Sequence, residues 1–169
     1  MPTYYPISKK HPSLHPTLHQ VIIVDLDYTT WQAYVDEKGT SDEPPVFPEV
    51  AGIFNAVRAR GIPLAFASKS PASELAETWL RRLQFWDLAS SRQIYHREDK
   101  SEHFGAIKRE VGVPLSDALF FDDERPNIKL ATMLGITSVL VPRNEGLTVK
   151  ALEAALARFA SALENDRGF

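Results

Sequence analysis

Four aspartates stand where two apolar runs of this chain end: Asp25 and Asp27 close Val-Ile-Ile-Val-Asp-Leu-Asp, and Asp122-Asp123 close Ala-Leu-Phe-Phe-Asp-Asp. A third run ends in Ser68-Lys69-Ser70. Carboxylates that share one crevice raise one another's pKa or demand a cation. A set of oxygen donors without histidine or cysteine suits a hard ion, and one that leaves room for water and phosphate suits Mg²⁺. A single acid in such a place reads as a cap on the turn after it. Four of them at two run ends, beside a serine and a lysine at a third, read as a site.

Such a site needs the run ends to converge. Val21–Leu26, Ile62–Ser68, Ala118–Asp123 and Ile136–Val141 are short and apolar, as strands covered on both faces are, and Arg92–His96 is a weaker fifth. Alternation along the first strand predicts Asp25 and Asp27 on one side. Between the strands, helical spacing recurs in Val50, Ile53, Phe54 and Val57, then in Leu75, Trp79, Leu80 and Leu83. Phe104, Ile107 and Val111 make a third stripe, and Leu152, Leu156, Phe159 and Leu163 a fourth. Gly61, Gly112 and Gly135 stand where helices need a left-handed terminating residue, and Ser70-Pro71 predicts an N-cap with its first helical position. The alternation predicts an α/β fold, a three-layer, Rossmann-like, doubly wound sheet that is mainly parallel. Ligands of such sheets bind outside the carboxyl ends of the strands, where these polar residues gather.

Composition narrows the partners. Nineteen basic residues against 22 acidic ones give a net charge of −3, the wrong balance for an electrostatic grip on nucleic acid or anionic lipid. The lack of cysteine removes disulfides, thiolate zinc sites and a cysteine nucleophile. No apolar run reaches membrane-spanning length, and the opening MPTYYPISKK has no apolar signal core. A soluble cytoplasmic protein, with neither nucleic acid nor membrane as partner, is expected. Residues 1–19 differ from the rest, carrying Pro2, Pro6, Pro12 and Pro16 with His11, His15 and His19. A helix there would align three imidazoles as metal ligands, but Pro12 and Pro16 oppose a continuous helix. The expectation is a flexible or loosely docked arm ahead of a domain at 20–169.

Val-Asp-Leu-Asp-Tyr-Thr-Thr-Trp (Val24–Trp31) resembles the D-x-D-x-T signature of haloacid dehalogenase superfamily phosphatases. Asp-Tyr-Thr-x-Trp, Ala-Ser-Lys (Ala67–Lys69) and Phe-Phe-Asp-Asp-Glu (Phe120–Glu124) resemble its magnesium-dependent phosphatase family, and the likeness runs from Val21 to Thr148. The resemblance implies phosphomonoester hydrolysis in two steps. Asp25 would be the nucleophile that forms an aspartyl-phosphate, and Asp27 the general acid that later activates water. It implies Mg²⁺ held by Asp25, the main-chain carbonyl of Asp27 and Asp123, with Asp122 in support. Phosphate contacts fall to Ser68, to Lys69 where relatives often carry arginine, and to Lys100 just before a helix over Ser101–Val111. The substrates implied are sugar phosphates, aryl phosphates or a phosphotyrosine protein.

The stretch Thr30–Phe47 is long for a loop but too short and polar for a cap domain, so an open, capless crevice is expected. Within it Trp31 and Tyr34 could stack on a substrate ring, although packing beneath the loop is the more usual use of such side chains. Thr30 and Gln32 depart from the leucine and proline of the family pattern, which touches substrate contacts rather than chemistry. A phosphate-accepting receiver module would use a similar sheet and acids, but with the tandem pair at the first strand. An inactive scaffold would not need every acid, the serine and the lysine together. Nucleotide-binding readings have no glycine-rich motif to rest on.

Overall fold

A computed structural model describes residues 20–167; the 1–19 arm and its three histidines lie outside the described residues. Five strands form one sheet: β1 (Val21–Val24), β2 (Leu64–Ser68), β3 (Ala89–Ile94), β4 (Ala118–Asp122) and β5 (Thr137–Leu140). Their order is β3-β2-β1-β4-β5, and every neighbouring pair is parallel. The chain winds outward from β1 in one direction and then the other. That reversal opens a crevice at the carboxyl ends of β1, β2 and β4.

Period-two alternation feeds two cores. From β1, Ile22 and Val24 enter one with Phe54, Phe66, Trp79 and Phe121, while Val21 and Ile23 enter the other with Phe104, Ile107 and Phe120. Helices α2 (Val50–Ala59), α3 (Ser73–Arg82) and α6 (Val149–Arg167) cover the first face, and α4 (Ser101–Val111) and α5 (Arg125–Met133) the second. The three-layer α/β architecture is the one the sequence predicts. Gly112 ends α4 at φ +74°, its N–H donating to the Lys108 carbonyl, and Gly61 and Gly135 are left-handed too. No helix among the described residues is long and apolar enough to cross a membrane.

Three local expectations need correction. The Ser70 hydroxyl accepts the Ala72 N–H and so shapes a turn ahead of α3, which starts only at Ser73. Strand β3 begins at Ala89 rather than Arg92, its polar residues Ser91 and Gln93 being satisfied by Glu110 of α4. Strand β1 stops at Val24, so Asp25 and Asp27 lie beyond it.

Between β1 and α2 the chain makes one excursion, containing the four-residue helix α1 (Val35–Lys38). Bridges between Asp27 and Trp31 and between Trp31 and Val46 fold it back on itself. The loop after β5 clasps it: the Leu147 N–H donates to the Thr29 carbonyl at 2.9 Å, and Gly146 lies flat on the Phe47 ring. At Gly146 φ is +63°, and a Cβ would stand 2.1 Å from that ring, so glycine is required on both counts.

Candidate active site

A turn, rather than strand alternation, brings Asp25 and Asp27 together. The N–H groups of Thr29, Thr30 and Trp31 all reach the Leu26 carbonyl, at 3.1, 2.8 and 3.3 Å, while the Leu26 side chain is buried in the core. Tyr28 takes a left-handed conformation, φ 55°, to close the turn. Backbone strain of this kind costs about 1–3 kcal/mol and gathers at functional sites. The turn and the ends of β2 and β4 enclose a cleft of about 340 Å³. Asp25, Asp27, Ser68, Lys69, Lys100 and Asp123 line it, together with Tyr34, His96, Arg97 and Asn127. Asp122 is fully buried beside Asp25, and the half-buried Lys69 stands on the cleft wall.

Asp25, Asp122 and Asp123 each offer an oxygen within 4.8 Å of the others. Lys100, whose side chain is 1% exposed, is wedged among them. Its Nζ donates to Asp25 Oδ1 at 2.7 Å, to Asp122 Oδ2 at 2.6 Å and to the Ala67 carbonyl at 2.7 Å. Burial alone would push the Lys100 ammonium down, but Asp25 and Asp122 outweigh it and hold its pKa above the ordinary lysine value. Burial and then the Asp122 charge lift Asp25 well above the usual carboxylate range, against the pull of Lys100. The same two causes raise Asp123.

The hydrogen bonds sort the tandem pair. Asp122 Oδ1 accepts the Glu124 N–H at 2.8 Å, and Oδ2 accepts Asn127 Nδ2 at 3.0 Å beside Lys100. Asp123 has weaker claims on it, Thr29 Oγ1 at 3.5 Å and Arg143 Nε at 3.4 Å. Three carboxylates against the Lys100 ammonium and the half-exposed Arg143 guanidinium leave excess negative charge, and Asp25 Oδ2, which accepts Thr29 Oγ1 at 3.2 Å, and Asp123 hold the oxygens least committed elsewhere. That donor set fits a hard divalent cation, with Asp122 supporting it through Lys100. Because all three Lys100 protons have protein acceptors, contact with phosphate would require exchanging one of them.

Asp27 is held differently. Trp31 Nε1 donates to Asp27 Oδ1 at 2.7 Å, and the Val35 N–H reaches the same oxygen at 3.2 Å. Burial lifts Asp27 to about 6, while the Trp31 and Val35 hydrogen bonds pull the other way. Trp31 is fully buried and packs edge-on against Trp79 at 5.1 Å, so of its two expected uses the packed one is observed, now with a polar task. Tyr34 lines the cleft, and its hydroxyl accepts Arg143 Nη2 at 2.9 Å.

Sequence reasoning missed Arg143, Asn127 and His103. Arg143 follows the fifth strand, at the same end of the sheet as the acids, and its guanidinium lies 3.9 Å over the Tyr28 ring. Asn127 and His103 are single polar residues on otherwise buried helix faces, and His103 follows Lys100 by one turn. That spacing was the available signal.

The model of the acid phosphatase family matches residues 40–162, a stretch that includes Ser68, Lys69, Lys100 and the tandem pair. The chain is 30% identical over 163 residues to human Magnesium-dependent phosphatase 1, covering 86% of this chain and 89% of that protein. It is 25% identical over 141 residues to a HAD-like hydrolase superfamily protein of Schizosaccharomyces pombe, covering 69% and 81%. Among solved structures, the N-terminal part of BF1531 from Bacteroides fragilis, containing a phosphatase domain complexed with Mg, superposes with a TM-score of 0.69. That match is 20% identical and covers 82% of this chain and 40% of the other. The D,D-heptose 1,7-bisphosphate phosphatase of B. bronchiseptica, complexed with magnesium and phosphate, gives 0.58 at 14% identity, covering 86% and 99%. These two structures share the fold. With the family matched over most of its length and the motif residues gathered around one cleft, the chain belongs to the acid phosphatase family, among the magnesium-dependent phosphatases of the haloacid dehalogenase superfamily.

Proposed function

We propose that this protein hydrolyses phosphomonoesters through an aspartyl-phosphate on Asp25, in a cleft that no cap domain covers. The observation that carries the reading is the meeting of Asp25, Asp27, Ser68 and Asp123 in one cleft around the ion-paired Lys100. In the first step an Asp25 oxygen attacks phosphorus, and the ester oxygen leaves with the bonding pair and takes the proton of Asp27. In the second, Asp27 as carboxylate accepts a proton from the water that attacks phosphorus, which frees phosphate and regenerates Asp25. Asp25, Asp123 and the Asp27 carbonyl would hold Mg²⁺, which when bound would supply the neutralising charge that an anionic nucleophile needs to approach an anionic phosphate. Ser68 gives a hydrogen bond to the phosphoryl oxygens. Lys100 fixes the acids and Lys69 adds a point charge at the wall. A hydrolytic role for Asp27 separates this reading from a receiver module, which needs no such group.

The excursion between β1 and α2 holds only the short α1, which supports the open, capless reading. Such a mouth admits sugar phosphates or a phosphotyrosine side chain, with the Tyr34 ring on its wall. Hydrolysis of p-nitrophenyl phosphate is the test: turnover should require Mg²⁺, stop with EDTA and return when Mg²⁺ is restored. Activity indifferent to chelation, or a single phosphorylation without turnover, would overturn the proposal.

Trp31→Phe probes the acid. The change removes the 2.7 Å donor that opposes burial, so the Asp27 carboxyl should titrate above about 6. A general acid works only while protonated, and activity is lost as pH rises through its pKa. The alkaline limb of kcat should therefore move to higher pH. Disorientation of Asp27 should also cost about tenfold in kcat on alkyl phosphates, and less on p-nitrophenyl phosphate, whose leaving group needs no proton. Equal losses on both substrates with an unmoved limb would remove Trp31 from the reaction.

A further inference from the structure

The first turn of α4 grips two consecutive carbonyls at the end of β2. Lys100 Nζ takes that of Ala67 at 2.7 Å, and His103 Nε2 lies 2.9 Å from that of Ser68. The same nitrogen is 3.0 Å from the Tyr95 carbonyl at the end of β3. Both neighbours are acceptors, so Nε2 carries the proton and Nδ1 does not. Nδ1 is buried without a hydrogen-bond partner. Burial holds the pKa of His103 below the ordinary histidine value, the Tyr95 and Ser68 carbonyls opposing it and the charges of Lys100 and Arg97 acting with it. The imidazole is fully buried and stacks on Tyr95 at 4.2 Å, 17° from parallel.

Packing does not call for a histidine here. A phenyl ring would keep the stack and would not bury a lone pair that goes unpaired, which carries a cost. The compensation lies in what Nε2 holds. Ser68 ends the strand and begins the phosphate-side turn, its Oγ accepting the Ser70 N–H at 3.2 Å. We propose that His103 is a positioning residue, whose Nε2–H clamps the Ser68 carbonyl and so fixes the Ser68 hydroxyl and the Ser68–Ser70 turn against the transferring phosphoryl group. The proposal rests on the phosphate reading of the cleft.

The test is calorimetric titration of inorganic phosphate, with Mg²⁺ present, into the wild type, His103→Phe and His103→Gln. Phenylalanine keeps a ring against Tyr95 but has no donor, whereas the glutamine amide can place an N–H near the Nε2 position. His103→Phe should weaken phosphate binding about tenfold, the usual effect of one well-placed hydrogen bond, and raise KM more than it lowers kcat. His103→Gln should stay within about twofold, and Mg²⁺ affinity should be unchanged in both variants because no acid of the cluster is touched. If His103→Phe does not fold, His103→Asn, whose amide stops short of both carbonyls, replaces it with the same expectation. Wild-type protein that binds no phosphate would overturn the reading of the cleft itself. Wild type that binds, with His103→Phe binding equally well or His103→Gln impaired as badly, would overturn the clamp alone.

Discussion

Asp25→Asn is expected to abolish turnover while the fold stands. The amide has the shape of the carboxylate but no anionic oxygen to attack phosphorus, so on the proposed mechanism no aspartyl-phosphate forms and the rate should fall by about 10⁴-fold or more. Stability should change little, because two effects oppose. The amide ends the repulsion from Asp122 and Asp123 that helps lift the Asp25 pKa. It also deprives Lys100 of one anionic partner, although the amide oxygen can still accept its proton. A melting temperature within a few degrees of wild type, beside lost hydrolysis of p-nitrophenyl phosphate, is the expected pair of results. A residual rate within tenfold of wild type would displace Asp25 as nucleophile.

Lys100→Met should be the most damaging single change to the fold. The ammonium is the counter-ion of two buried carboxylates at 2.6 and 2.7 Å, and methionine fills similar space without charge. Removing one partner of a buried pair leaves uncompensated charge and costs about 3–5 kcal/mol. In a chain of this size that corresponds to a fall of roughly 10 °C in melting temperature. Two further signs identify the cause. Mg²⁺ should recover part of the loss, since a cation that binds only the native cluster stabilises it. The deficit should also shrink as pH falls. Without Lys100 the Asp25 pKa rises further above its unfolded value, and a raised carboxyl loses native stability as pH climbs through it. Thermal melts at about pH 5 and pH 8, with and without Mg²⁺, give the four values needed. A variant that melts like wild type in EDTA at about pH 8 would show that the pairs contribute nothing.

The sheet was legible because its signals are redundant: apolar strands, helical stripes and terminating glycines all point to one winding. The limits of α4 were legible too, from the stripe of Phe104, Ile107 and Val111 and from Gly112, whereas the ion pairs of Lys100 with Asp25 and Asp122 were not. What escaped was decided by side-chain hydrogen bonds, some between near neighbours in the chain and some between distant elements. Asp122 and Asp123 are equivalent as letters and only the resemblance ranks them, whereas Asn127, the Glu124 N–H and Lys100 show what commits Asp122. For Trp31 packing beneath the loop is the expected use, and what the sequence does not show is that the packed ring also donates to Asp27. His103 looks like one more residue on a helix face until two strand ends meet its ring. Lys69 shows the converse, a motif position whose task depends on a substrate.

The folded-back excursion between β1 and α2 has a consequence for engineering. Its base is stitched at Asp27, Trp31 and Val46, and Val35 still reaches Asp27, so everything up to α1 belongs to the acid. Beyond it, Thr40 to Glu43 form a largely exposed tip, anchored to α3 through main-chain carbonyls of Thr40 and Asp42 that accept from Arg82 and to α1 through the Lys38–Asp42 ion pair. That tip lines none of the cleft, so it is a splice point: modules grafted there would leave the stitched base and the cleft wall on their own scaffold.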